Sequence, residues 1–202
     1  MIDGKNGDNM PNNTANCSLC PFNPQNNVAN LHSKNMSYIW KTKNNGPLML
    51  ENNNSDILLV FEAPGIDEWS KRQPIISKRG FSAARKFDDA LKTAGKARVN
   101  YDITEAVLCF PGKSTAGVNQ KIQEEVETAA TYCQQYLQQD ILNNNYRKII
   151  CFGEIAYSSV LKIYPSICAD KPYYSSLYPN RILHLTHPIC NKNLQQDIIT
   201  YL

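Results

Sequence analysis

The chain has 202 residues, of which 42% are hydrophobic, so it can bury one sizeable core. Its net charge is only +3, so any binding of nucleic acid must depend on local clusters of basic residues rather than on overall charge. No run approaches the roughly 18 apolar residues of a spanning helix, and the first residues lack the apolar segment of a signal peptide. We therefore expect a soluble, cytoplasmic protein that has no membrane partner and is a monomer.

The amino-terminal part of the chain is polar and carries a cysteine pair. Residues 1–16 are rich in Asn and Gly, and we expect them to form a disordered tail. Cys17 and Cys20 follow on one tight turn, and residues 17–202 are expected to form a single domain. The cysteines number seven, are unevenly spread and have no export signal, which argues against a disulfide framework and favours metal ligation or burial.

Apolar runs alternate with helical patterns from residue 56 onward. The first run ends in a turn that carries Glu62, and a loop follows it. The expected strands are 56–62, 101–110, 148–152 and 181–186, and the expected helices are 81–95, 120–142, 153–163 and a short one at the end. This alternation predicts a three-layer α/β/α sandwich with a mostly parallel, four-stranded central sheet.

Ligands of such sheets bind at the carboxyl ends of the strands, where several loops converge. Basic residues follow the first two predicted strands, in positions suited to DNA phosphates. They are Lys71, Arg72, Lys78, Arg79 and Lys113. Arg85 and Lys86 lie close behind, and for these two a solvated surface is an equally good interpretation.

Four segments, in this order, resemble the uracil-DNA glycosylase superfamily, most closely its iron–sulphur branch, of which the chain would be a divergent member. The resemblance covers residues 56–190 and the amino-terminal cysteine pair. The segments are CSLC (17–20); FEAPG (61–65) with Gln73, Pro74 and Gly80; YDITEAVLCFP (101–111) with CQQYL (133–137) and IICFGEIA (149–156); and LTHP (185–188).

The resemblance implies a monofunctional DNA glycosylase that hydrolyses the N-glycosidic bond of a flipped-out base. Such a reaction passes through a cationic sugar, which a carboxylate stabilises, while a hydrogen-bond donor faces the departing base. By this resemblance His187 is the donor, Glu62 positions water or the sugar, and Ala63, Pro64 and Gly65 line the base pocket. An ordinary histidine at a sheet edge is the alternative for His187.

The chain departs from the family at the residues that would read the base. The family's stacking Phe falls at Ile75, and its uracil-pairing Asn falls at Glu105, a third catalytic candidate that reads the base or activates water. An ionised carboxylate only accepts hydrogen bonds, so Glu105 would prefer a base that carries an amine, and Ile75 removes a flat face and opens space. The hypothesis is therefore a modified cytosine-type base, in repair or in defence against viruses with altered DNA. The alternatives are a conventional uracil-DNA glycosylase and a catalytically inactive DNA-binding or sensing homologue.

By the same resemblance, four cysteines hold a 4Fe–4S cluster with a structural role: Cys17, Cys20, Cys109 and Cys133. The same thiols suit tetrahedral zinc, which leaves open a zinc-stabilised α/β nucleotide-binding domain, and plain burial remains an alternative for the last two. The other three cysteines are assigned no metal. Ile189 is a candidate wedge into DNA, and Asp67 and Glu68 either position water or are solvated loop acids.

Overall fold

A computed structural model describes residues 17–22, 47–77, 82–111, 119–170 and 182–202. Its core is a four-stranded parallel sheet in the order β2-β1-β3-β4. The strands are β1 (Ile57–Phe61), β2 (Asp102–Glu105), β3 (Lys148–Phe152) and β4 (Ile182–Leu185). Because all four run in one direction, their carboxyl ends share one edge.

Helices cover both faces of this sheet. They are α1 (Ile66–Lys71), α2 (Ala83–Thr93), α3 (Asn119–Asn143), α4 (Glu154–Asp170) and α5 (Leu194–Tyr201), with short 3-10 turns at Cys17–Leu19 and Arg98–Asn100. Helices α3 and α4 pack on one face, and α2 and α5 pack on the other. The predicted three-layer α/β/α sandwich is confirmed, and the sheet is entirely parallel.

Strand β1 shows why the central strands appear in the sequence as continuous apolar runs. Leu58 and Val60 face the layer of α3 and α4, whereas Leu59 and Phe61 face the layer of α2 and α5. A central strand that is buried on both faces needs apolar residues at every position. Phe61 stacks on Phe152 with ring centroids 4.7 Å apart, which makes a tightly packed floor beneath the carboxyl edge.

Three predicted elements differ in the structure. Strand β2 ends at Glu105 rather than at residue 110, because the buried apolar residues 106–108 form a turn whose burial imitates a strand pattern. Helix α1 occupies residues for which the sequence predicts a loop. Helix α4 continues past residue 163 to Asp170 and includes Pro165.

The segment before β1 pairs with β2. Glu51 and Ile103 exchange two antiparallel backbone hydrogen bonds of 2.8 and 3.0 Å, so the segment covers the β2 edge of the sheet. Cys20 and Phe22 are buried against the layer of α3 and α4. The expected disordered tail, residues 1–16, lies outside the described residues. In the parts of the chain that the structure describes, no helix combines the length and apolar character that a membrane crossing requires.

Candidate active site

The carboxyl edge of the sheet brings together residues that are far apart in the chain. Glu62 follows β1, Glu105 ends β2, Gly153 follows β3 and His187 lies two residues after β4. The Gly153 amide donates a 2.9 Å hydrogen bond to the carbonyl of Leu185, which ties the start of α4 to the end of β4. The turn at residues 62–65 and the turn at residues 186–188 therefore lie on the same rim.

Glu62 lies against the amino terminus of α4. The Ile155 amide is 3.4 Å from its Oε1, and the Glu154 amide also donates to the carboxylate. Burial raises the pKa of Glu62, while these two amides act in the opposite direction. Gly153 has φ of +103°, and a Cβ added there would lie 2.3 Å from Glu62 Oε1, so only glycine fits.

Glu105 is a buried carboxyl group in which only one of the two oxygens has a hydrogen-bond partner among the described residues. The Ile75 amide donates to the carboxyl group, but its Oε2 has no hydrogen-bond partner among the described residues. Burial raises the pKa of Glu105 well above its usual range, the neighbouring Glu68 and Glu62 raise it further, and Arg98 acts against the rise. The raised pKa favours the neutral form of Glu105, which offers a donor as well as an acceptor, whereas the expected acceptor-only carboxylate is the ionised form.

Glu68 is buried, so the interpretation of this residue as a solvated loop acid is wrong. Its carboxylate accepts the Gly65 amide and so caps the first turn of α1. Burial raises its pKa to about 7. Asp67 accepts a 3.0 Å hydrogen bond from the hydroxyl of Ser77. Ala63 and Gly65 are half-buried and Pro64 is buried, so the turn that carries them is part of the packed rim.

The loop of residues 73–75, beside Glu105, is held by residues that no sequence pattern singles out. Arg98 donates a 3.0 Å hydrogen bond to the carbonyl of Ile75 and also bonds the carbonyl of Pro74. It forms a two-point ion pair with Glu51, at 2.9 and 2.8 Å. The Ile75 side chain is buried in the apolar layer beside α2, so its contact with Glu105 is made by its backbone.

His187 is held as a neutral imidazole. Burial lowers its pKa to about 4, so the ring is uncharged at neutral pH. The Ile189 amide lies 3.4 Å from Nδ1, which assigns the ring proton to Nε2 and makes that atom a hydrogen-bond donor. The His187 carbonyl accepts from the amides of Cys190 and Asn191, at 2.9 and 3.0 Å, which closes the turn.

Four cysteines lie near one another where the amino-terminal segment, the loop after β2 and helix α3 come together: Cys17, Cys20, Cys109 and Cys133. Burial raises the pKa of Cys109 well above its usual range, and the thiols of Cys133, Cys20 and Cys17 add to the rise. Burial likewise raises the pKa of Cys133 to about 12. The hydroxyl of Tyr136 is 3.2 Å from Cys17 Sγ. Among the described residues, no three His, Cys, Asp or Glu side chains are arranged to hold one metal ion.

A family model described as the uracil DNA glycosylase superfamily matches residues 49–190, which is more than half of the chain. The chain belongs to the uracil DNA glycosylase superfamily. Membership of this superfamily indicates a DNA glycosylase that acts on DNA. No curated protein sequence matches the chain at a significant level.

The residues expected to bind DNA are only partly described in this superfamily member. Lys71 is exposed at the end of α1, and Arg72 bonds the carbonyl of Pro47 and lies near Cys109. Lys78, Arg79 and Lys113 lie outside the described residues. On the other side of the rim, Lys86 donates a 2.8 Å hydrogen bond to the carbonyl of Ile189, whose side chain is 40% exposed.

A shallow groove of about 260 Å³ lies beside that contact. It is bordered by α2 and by the segment that leads into α5, and its basic residues are Lys86 and Lys192. The acidic residue of the groove, Asp89, forms an exposed 3.0 Å ion pair with Arg85. The groove therefore adjoins the turn of His187 but does not contain Glu62 or Glu105.

Proposed function

We propose that this protein is a monofunctional DNA glycosylase that hydrolyses the N-glycosidic bond of a flipped-out base, and that the base is a modified cytosine. The proposal is supported by one arrangement above all. A neutral imidazole donor, His187, a half-buried carboxyl group, Glu62, and a buried one, Glu105, lie at the carboxyl ends of strands of one sheet. A modified target base would suit defence against viruses with altered DNA as well as repair.

Each group has a task in breaking the bond. As the bond between C1′ and the base nitrogen breaks, its electrons leave with the base and positive charge develops on the sugar. Glu62 stabilises that charge and takes the proton of the attacking water, whose oxygen adds to C1′. Its raised pKa suits a base that works near neutral pH. The Nε2–H of neutral His187 donates a hydrogen bond to the departing base. The base leaves as an anion that takes a proton from solvent, and Glu62 releases the proton of the water to solvent, so the products are the free base and an abasic site.

The protonation state of Glu105 decides which base it reads. When neutral, its O–H and C=O can pair with N3 and the N4 amine of cytosine, or with O4 and N3–H of uracil. When ionised, an oxygen that faces position 4 of the base accepts from the cytosine amine but repels O4 of uracil. An oxygen that faces N3 does the reverse, since it is repelled by N3 of cytosine and accepts from N3–H of uracil. A preference for cytosine therefore requires that Glu105 faces position 4 of the base. Because the raised pKa favours the neutral form of Glu105, uracil remains a second candidate. The groups that face Glu105 and set its ionisation are Glu68, Glu62, Arg98 and the Ile75 amide.

The test is a panel of duplexes that carry uracil, cytosine or a 5-modified cytosine, scored for abasic sites from pH 6 to pH 9. We expect excision of the modified cytosine, with a preference over uracil that grows as the pH rises and Glu105 ionises. The Glu105→Gln variant keeps a donor and an acceptor at every pH, so its preference should not change with pH. Uracil excision without action on modified cytosine would identify a conventional uracil-DNA glycosylase. DNA binding without any excision would identify an inactive homologue.

We further propose that Cys17, Cys20, Cys109 and Cys133 hold a 4Fe–4S cluster. The mutual effect of their thiols on pKa supports a shared site, and an amide at Leu108 donates to Cys133. A single zinc ion needs all four sulfurs about 2.3 Å from one point, whereas each iron of a cluster takes one thiolate. When bound, the group would tie the amino-terminal segment to α3, within one domain of residues 17–202.

Iron and sulphide analysis of protein purified without oxygen tests this ligand set. We expect about four irons per chain with broad visible absorbance, as four thiolate ligands imply. Cys133→Ser should lose them, whereas Cys190→Ser, at an exposed position away from the cluster, should keep them. Colourless protein that contains one zinc ion would replace the cluster with a zinc site.

A further inference from the structure

Arg98 connects three parts of the site that lie far apart in the sequence. It comes from the 3-10 turn Arg98–Asn100, just before β2. Its guanidinium bonds the carbonyls of Pro74 and Ile75 on one side and both carboxylate oxygens of Glu51 on the other. The pair with Glu51 is largely buried, with 20% and 18% of the two side chains exposed. Gln73 adds a 3.0 Å hydrogen bond to the same carboxylate.

The backbone that Arg98 holds is strained. Ile75 has φ of +43°, a conformation that a β-branched residue rarely adopts. In this conformation its carbonyl meets Arg98 while its amide meets Glu105, and its side chain is buried beside α2. Such strain persists only where the surroundings fix the residue at several points, as they do here. Strain of this kind is common where a protein must present a group in one orientation.

We propose that Arg98 is a positioning residue for base recognition. By holding residues 73–75, it keeps the Ile75 amide on one oxygen of Glu105 and leaves Oε2 of Glu105 for the base. The inference rests on the proposed function, because it requires that Glu105 reads the base. It adds that the geometry of Glu105 is set by the ion pair of Arg98 and Glu51, which the base itself does not touch.

The chain offers a matched control in a second arginine–carboxylate pair. Arg147 and Asp56 are 2.7 Å apart near the amino ends of β3 and β1, on the opposite edge of the sheet. That pair is more than half exposed on both sides. Replacing Arg147 by Lys tests the same chemical change without touching the loop of Ile75.

The experiment compares Arg98→Lys, Glu51→Gln and Arg147→Lys with the unaltered protein. Lysine keeps the charge of Arg98 but cannot bond both carbonyls and Glu51 at once. Four measurements are made, of which the first three are kcat and KM on the base panel, affinity for abasic-site DNA, and the melting temperature. A fourth is affinity for duplexes whose target nucleotide carries 2′-fluorine, which slows cleavage by disfavouring the cationic sugar.

For Arg98→Lys we expect kcat to fall about 10- to 100-fold, with an altered ratio between bases and unchanged affinity for abasic-site DNA. Glu51→Gln should act in the same direction but less strongly, and Arg147→Lys should match the unaltered protein. Unchanged kinetics in Arg98→Lys would overturn the proposal. So would an equal loss for every base accompanied by weaker abasic-site binding, since that marks a purely structural role.

Failure of the proposed function gives a different pattern. If the unaltered protein excises no base but binds the fluorinated duplexes better than abasic DNA, glycosylase activity is refuted. Loss of that preference in Arg98→Lys would then still support the role of Arg98. If the unaltered protein shows neither excision nor preference for a base, both proposals are overturned.

Discussion

The two ends of strand β2 carry buried carboxyl groups that differ in their hydrogen bonds. At the amino end, Asp102 accepts the amides of Asn53 and Ser55 at 2.8 and 3.0 Å on Oδ1, and the hydroxyl of Tyr146 at 2.8 Å on Oδ2. At the carboxyl end, Glu105 receives one amide and its Oε2 has no partner among the described residues. The two groups are three residues apart and almost equally buried.

This difference separates structural from functional burial. A buried carboxyl group with all its hydrogen bonds made holds the fold together, and Asp102 fastens the segment before β1 to the sheet. A buried carboxyl group with an unpaired oxygen destabilises the folded protein, and a ligand that supplies the missing hydrogen bond removes that penalty. The contrast between Asp102 and Glu105 therefore suggests that the carboxyl edge is organised for a ligand rather than for stability.

The largest expected effect on activity comes from His187. His187→Ala removes the donor to the departing base and should lower excision about 10²- to 10⁴-fold, measured by single-turnover release of the base. Affinity for abasic-site DNA and the melting temperature should stay near those of the unaltered protein. Lys162→Ala is the control, because that side chain is exposed midway along α4. Equal losses in both variants would remove His187 from the mechanism.

Alanine substitutions at the two ends of β2 test the comparison directly. Asp102→Ala leaves two amides and a tyrosine hydroxyl without an acceptor and should cost about 3–5 kcal/mol of unfolding free energy. Glu105→Ala leaves only the Ile75 amide and removes a carboxyl group that is costly to bury, so it should cost less than about 2 kcal/mol. Urea unfolding at pH 7 measures both. A greater loss for Glu105 would mean that its burial is structural after all.

A third buried carboxyl group, Glu68, extends the comparison because it makes the unfolding free energy depend on pH. Its pKa is raised from 4.5 to about 7 in the folded protein, so folding favours the protonated form. The stability that this group contributes is present below its unfolded pKa and is lost as the pH rises through about 7. Glu68→Gln keeps an acceptor for Gly65 without this loss, so it should gain about 1–3 kcal/mol on the unaltered protein between pH 4.5 and 8. An advantage that does not vary with pH would contradict the prediction.

The smallest effect is expected at the amino edge. The pair of Arg147 and Asp56 is exposed, so Arg147→Ala should change the unfolding free energy by less than about 1 kcal/mol. Excision of any base should be unaffected. Thermal melting in low and high salt is the measurement, and a loss as great as that of Asp102→Ala would show that this edge depends on more than Asp102.

The fold could be predicted because its central strands are buried on both faces. The apolar runs at residues 57–61 and 148–152 are short and continuous, as expected of strands that are buried on both faces. The helices between them have apolar residues at helical spacing. Prediction was weaker where burial occurs outside a strand. Residues 106–108 are apolar because they pack under the sheet edge, and the pattern does not distinguish that from a longer β2.

The candidate site could be predicted only where the residues follow strands. Glu62 and His187 were predicted from the resemblance to the superfamily, and both follow strands whose carboxyl ends meet at one edge of the sheet. Arg98 was missed because its partner Glu51 is 47 residues away and the bonded loop adopts an unusual backbone conformation. Local sequence cannot report either fact. The protonation of Glu105 was equally out of reach, since it depends on which other carboxyl groups the fold places beside it.

The glycine at the start of α4 limits how this enzyme could be changed. Since even a methyl group at residue 153 would collide with the Glu62 carboxylate, the proposed water-activating acid and the first turn of that helix must vary together or not at all. Glu105, at the end of β2, has no such contact with a described glycine, and the loop of Ile75 beside it is held by Arg98. Efforts to redirect the protein toward another base should therefore alter the reading side of the cleft and leave the hydrolytic side untouched.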